Sequence, residues 1–122
     1  MTTVRYLVSD VDRAIRFYVD QLGFALETQM GSAFAMVRGG DGLLLWLSGP
    51  QSSAARPMPD GRHPEPGGWN RIVVEVDDLD ARVAAMRAAG VTFRNDIVTG
   101  PGGKQILAED SEGNVIELFE AR

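Results

Sequence analysis

Few side chains in this 122-residue chain can do chemistry, and their scarcity narrows the possibilities. There is no cysteine, so the chain has no thiolate nucleophile, no sulfur metal site and no disulfide framework, which fits a reducing compartment. The single histidine, His63, sits in GRHPEP within a proline-rich stretch. It can offer one imidazole nitrogen, but a lone loop histidine is expected to face solvent. The glycines of TGPGGKQ (Gly100, Gly102 and Gly103) can bring backbone close to a ligand, yet no helix follows them, so they do not match a phosphate loop. Trp46 and Trp69 present flat apolar faces on which a planar ligand can stack. The alternatives are core packing for Trp46 and a latch at the end of the proline-rich stretch for Trp69. No nucleophile–base pair, cofactor loop or carboxylate dyad with enforced spacing can be assembled.

Charge and hydropathy exclude further classes. A formal charge of −5 with a single lysine, Lys104, is the wrong balance for binding a nucleic acid, which calls for clustered Lys and Arg. The longest aliphatic or aromatic run is LLLWL at Leu43 to Leu47, far short of a membrane span. The N-terminus lacks the basic segment and apolar core of a signal peptide, so a soluble cytoplasmic protein is expected. A 13.2 kDa chain fits one domain and can bury roughly two thirds of its unfolded surface.

The elements that must position these residues come in two similar sets. SDVDRAIRFYVDQLGFAL and DDLDARVAAMRAAGVTF align with Asp10 on Asp78, Val11 on Leu79, Asp12 on Asp80, Ile15 on Val83 and Gly23 on Gly90. In the first set, Val4 to Val8 reads as a strand, and Asp10 caps a helix whose apolar residues Val11, Ala14, Ile15, Tyr18, Val19 and Leu22 recur at helical spacing. Gly23 stops that helix, and Phe24 to Gln29, Ala33 to Arg38 and Leu43 to Ser48 read as three strands with a turn at Gly39 to Gly42. Residues 49–68 hold most of the prolines and no apolar periodicity, and read as a linker. The second set reads as a strand at Arg71 to Val76, a helix at Leu79 to Ala89, and strands near Val91 to Arg94, Lys104 to Glu109 and Val115 to Glu120. A unit repeated in this way is a tandem duplication, with module 1 at about 1–48 and module 2 at about 69–122 of one domain.

The order is βαβββ twice, and VRYLVSDVDRAIRFYVDQLGF, NRIVVEVDDLDARVAAMRAAGV and DSEGNVIELFE resemble the vicinal oxygen chelate superfamily of glyoxalases, bleomycin-resistance proteins and extradiol dioxygenases. The resemblance covers nearly the whole chain outside the linker. It implies an α+β fold in which each βαβββ module curls into an open half-barrel, with the helix outside and a cleft between modules, and in which modules often pair across a homodimer. It also implies metal-ligand positions: a histidine seven residues before each capping aspartate, and a glutamate on the final strand of each module. Those positions fall here on Thr3, Arg71, the region of Trp46 and Glu117, so only Glu117 keeps a ligand.

That departure shapes the functional expectation. Threonine is a poor ligand, tryptophan is none, and arginine would repel a cation. No cofactor is therefore expected, a divalent metal being the alternative. The resemblance brings Arg71 and Glu117 near one another, either as an ion pair that links strands or as a device in which Arg71 holds a ligand oxyanion and Glu117 accepts a proton or orients a hydroxyl. Arg5 and Glu75 share the inward face with Thr3 and Arg71 by strand alternation. The ligand set is thus Arg71, Glu117, Trp46, Arg5, Thr3, Trp69 and Glu75, with Glu117 and Arg71 as candidate catalytic groups. The primary expectation is a homodimeric protein that binds a small organic molecule without a metal. The alternative is an enzyme of lyase, isomerase or dioxygenase type, acting through Arg71 and Glu117 or through metal ligands in another register.

Overall fold

A computed structural model describes residues 2–122. The chain divides into two compact units, the first ending at Pro66 and the second running from Gly67 to Arg122.

In the first unit β1 (Val4–Leu7) leads into α1 (Val11–Leu22), then β2 (Ala25–Met30), β3 (Phe34–Arg38) and β4 (Leu44–Ser48). Helix α1 starts where the Asp10 carboxylate accepts the Arg13 backbone N–H at 3.1 Å, relieving one of the unpaired donors of the first turn. It ends at Gly23, whose φ of 71° is left-handed and lets its N–H reach back to Val19. The spacing of Val11, Ala14, Ile15, Tyr18 and Leu22 gives the helix one buried stripe. The sheet answers it with Ala35, Val37, Leu45 and Leu47, each wholly removed from water. Burying each of the larger of these side chains contributes roughly 1.5–3 kcal/mol.

The sheet order is β1-β4-β3-β2, so the first strand pairs with the last in sequence. That pairing is parallel and the others are antiparallel. Edge strand β2 is exposed along its whole length. Across β2 and β3, Arg38 grips Glu27 with two guanidinium donors. The hydrogen bond from Arg38 holds the Glu27 carboxyl below its ordinary pKa.

The second unit repeats the plan with β5 (Ile72–Glu75), α2 (Leu79–Ala88), β6 (Val98–Gly100), β7 (Gly103–Glu109) and β8 (Val115–Ala121) in the order β5-β8-β7-β6. Both units are α+β with open, mixed four-stranded sheets, the architecture expected from the duplicated sequence. Helix α2 buries only Leu79, Val83 and Met86, and its start is held by polar contacts. Asp78 caps it at 3.1 Å, Glu120 of β8 accepts the Leu79 N–H at 2.8 Å, and Lys104 of β7 donates to Asp80 at 2.6 Å. The hydrogen bond to Asp80 raises the Lys104 pKa. No helix of the described residues is long and apolar enough to cross a membrane.

Two expectations need correction. The strand expected near Val91 to Arg94 is absent, and only an isolated bridge joins Phe93 to Ala108. There the Asn95 side chain accepts the Leu107 N–H at 2.9 Å, taking a donor that a continuing ladder would use, and pairing resumes at β6. Residues 49–68 are also more than a connector. Ser53–Ala55 forms a short 3-10 turn, and Met58 and Arg62 close a hydrogen-bonded loop at 2.8 Å.

At Gly103 φ is 151°, and a Cβ placed there would run into the Glu120 carbonyl oxygen. Changing Gly103 to Ala is therefore expected to cost about 1–3 kcal/mol, from backbone strain and the clash together. Thermal unfolding would show it as a fall in Tm of several degrees, while Gly102→Ala, whose Cβ would meet only the Phe119 ring at an ordinary contact distance of 4.0 Å, leaves Tm nearly unchanged.

Candidate functional site

In the first unit, register decides which side chains share the face turned away from α1. Arg5 of β1 lies opposite Trp46 of β4, and Trp46 lies opposite Met36 of β3. The Arg5 guanidinium sits over the indole with its central carbon 4.9 Å from the ring centroid, a cation–π contact. It also donates to the hydroxyl of fully buried Ser48 at 3.3 Å. Phe34 meets Trp46 edge to face at 5.7 Å. Among the described residues the buried indole Nε1 has no hydrogen-bond partner. Thr3, two residues before Arg5, spends its hydroxyl proton on the Leu44 carbonyl.

In the second unit, the corresponding face of β5 and β8 carries Arg71 and Glu117. Nε and Nη2 of Arg71 converge on one oxygen, Glu117 Oε1, at 3.0 and 2.9 Å. The Glu117 side chain is 11% exposed and that of Arg71 30%. Glu117 Oε2 takes no hydrogen bond among the described residues. Arg71 Nη1 reaches the Trp69 carbonyl at 3.3 Å, which ties the pair to the start of the unit. The Trp69 ring is 67% exposed and carries the Arg94 guanidinium 4.6 Å from its centroid. Arg94 is in turn anchored by Glu109 at 2.7 Å and by the carbonyls of Gly68 and Gly113. Glu75, opposite Phe119, is exposed and has no hydrogen bond or ion pair among the described residues.

The paired registers also align the two units residue by residue. Trp46 stands to Arg5 in the first parallel pair as Glu117 stands to Val73 in the second. Thr3 and Arg71 each lie two residues upstream of those partners, so the four positions singled out from the sequence form two equivalent sets. One set is Thr3 with Trp46 and the other is Arg71 with Glu117. Phe34, Met36, Ser48, Val73 and Arg94 escaped the sequence reading. Alternation along FAMVR hinted at Phe34 and Met36, but only strand register places them beside Trp46.

As metal donors these sets are poor. The Thr3 hydroxyl is committed to a carbonyl, the indole has no lone pair to give, and one Glu117 oxygen is already covered by a cation. Among the described residues no group of three or more His, Cys, Asp or Glu side chains gathers as a cation site. His63 is exposed and has no hydrogen bond or ion pair among them.

The family described as "Glyoxalase/Bleomycin resistance protein/Dioxygenase superfamily" matches residues 1–118. No curated protein matches the sequence. Solved structures do. TnmS3, an antibiotic binding protein from a Streptomyces species, shares 28% identity at a TM-score of 0.74, covering 100% of this chain and 96% of its own. A superfamily member from Sphaerobacter thermophilus shares 26% identity at 0.74, covering 98% and 97%. The fosfomycin resistance protein FosX from Listeria monocytogenes, solved with Mn(II) and sulfate, shares only 14% identity at 0.75, covering 100% and 90%, and is alike in fold alone.

Removing one partner of the Arg71–Glu117 pair strands a charge. Because Arg71 is partly solvated, each single change, Arg71→Ala or Glu117→Ala, should cost about 1–3 kcal/mol rather than the larger penalty of a fully buried pair. In urea unfolding the double change is expected to cost less than the sum of the singles. Additive losses would mean that the two side chains act independently.

Proposed function

The chain belongs to the glyoxalase/bleomycin resistance protein/dioxygenase superfamily, and we propose that it uses this fold to bind a small organic molecule without a metal ion. The observation that carries the reading is that Thr3, Trp46 and Arg71 stand at three of the four expected ligand positions, with Arg71 paired to Glu117 in one unit and Arg5 lying over Trp46 in the other. An arginine on the sheet face of each unit, Arg5 or Arg71, supplies a fixed positive charge with several donors, which suits a ligand oxyanion or carbonyl better than a cation. Trp46, Phe34 and Met36 supply an apolar wall for a planar ligand. Thr3, two residues before Arg5, donates its hydroxyl proton to the Leu44 carbonyl and so offers a ligand only an acceptor oxygen. In the second unit, Trp69, with the Arg94 guanidinium over its ring, and Glu75, an exposed acceptor, are further candidate contacts. The likeness to an antibiotic binding protein supports the same class of ligand.

A homodimer belongs to this reading. Each sheet is open, β2 is exposed along its length, and closed two-fold pairing is the commonest way for such units to find a partner. Light scattering should then return twice the 13.2 kDa chain mass. A monomer at micromolar concentration contradicts the dimer.

The binding reading is tested by a thermal-shift screen of planar, oxygen-rich natural products. A ligand at a hundred times its Kd should add about 2.7 kcal/mol of stability. With such a ligand, Trp46→Ala and Arg5→Ala should each weaken affinity roughly tenfold or more, as stacking and a charged hydrogen bond are lost. Elemental analysis of protein purified without chelator or histidine tag should find less than one zinc, iron, nickel or manganese per chain. A stoichiometric metal released by Glu117→Gln would overturn the metal-free reading. It would favour the enzymatic alternative, a lyase, isomerase or dioxygenase in which Glu117 Oε2 is the oxygen left available.

A further inference from the structure

The proline-rich segment after β4 builds a cavity of about 390 Å³ against the end of β1. Its wall includes Pro50, Pro57, Pro64 and Pro66, with Leu7 and His63. Local bonds shape the segment: Ser52 Oγ donates to the Gly49 carbonyl at 2.7 Å, and Gly61 N–H donates to the Met58 carbonyl at 2.9 Å. Proline has a fixed φ and no N–H, so a wall carrying four of them is stiff and poor in donors. Stiffness means that little conformational freedom is lost when a ligand enters. The cavity falls within the roughly 300–1,000 Å³ typical of small-molecule sites, and such sites join apolar walls to a few polar groups.

The polar complement is narrow. No aspartate, glutamate, lysine or arginine lines the cavity, and His63 is its only titratable residue. A phosphate ester or nucleotide would find no cluster of donors here, and a metal would find one nitrogen. Pyrrolidine rings and Leu7 instead suit a flat hydrocarbon ring, while an imidazole can donate to or accept from one oxygen on it. We propose that this cavity is a second ligand site, lined by none of the residues assigned to the sheet-face sets, and that it takes a small aromatic molecule bearing a single acidic group, a phenol or aromatic carboxylate, which meets His63.

His63 is the sole histidine, so its Cε1–Hε1 signal in a carbon–proton NMR spectrum is unambiguous. Titration of the full chain with benzoate should move that signal saturably, and inorganic phosphate should not. Ala55, also in the wall, gives a blocking variant: Ala55→Phe should weaken binding at least tenfold. His63→Gln, at an exposed position that leaves the fold intact, should weaken it several-fold, as read from the methyl signal of Leu7. The proposal is overturned if no saturable shift occurs, if phosphate moves His63 as far, if folded Ala55→Phe or His63→Gln binds like the parent chain, or if the Trp46 indole signal responds in place of His63.

Discussion

The parallel pairing of the first strand of each unit with its last is the constraint on which the rest depends. A parallel pair cannot be closed by a tight turn, so the chain must cross over, and in each unit α1 or α2 and two further strands fill that crossover. The helix buries its stripe on one face of the sheet and leaves the opposite face uncovered by its own unit's helix. The same pairing brings Arg71 to Glu117 across a wide sequence gap, and Arg5 to Trp46 likewise. Loss of a parallel ladder would scatter the set of side chains that it carries.

The two faces solve one electrostatic problem differently. A carboxylate such as Glu117, with little exposure, needs a compensating charge, and Arg71 provides it through two donors on a single oxygen. The equivalent place in the first unit holds an indole, so no anion has to be balanced there, and Arg5 keeps most of its donors unspent while resting on the ring. One unit is therefore internally neutralised and the other offers a positive charge over an apolar wall.

Polar anchoring substitutes for apolar packing where the second unit is thin. Helix α2 buries three large side chains against five on α1, and the balance is taken up by Asp78, Glu120 and Lys104 around its first turn. Arg94 plays a comparable part at the other end, joining Glu109, two loop carbonyls and the Trp69 ring. Such networks fix geometry more than they add stability, because exposed ion pairs contribute only about 0–1 kcal/mol each. Their effect is to hold Trp69, and through its carbonyl Arg71, in a set position.

The sequence by itself determined the duplicated βαβββ order and both capped helices, because caps and helical periodicity are local. Asp10, Asp78 and Gly23 announce their roles within a single turn. What only the tertiary structure decided is everything that depends on strand register. A shift of one residue turns a side chain to the other face. Alternation alone could therefore not set Trp46 opposite Arg5, add Phe34 and Met36 beside it, or place Val73 next to Glu117. The strand misplaced at Val91 to Arg94 has the same origin, since Asn95 competes for the Leu107 N–H only once β7 lies alongside. The proline-rich stretch read as a plain linker because its walls form a cavity only against the end of β1, a contact between residues that no local pattern connects.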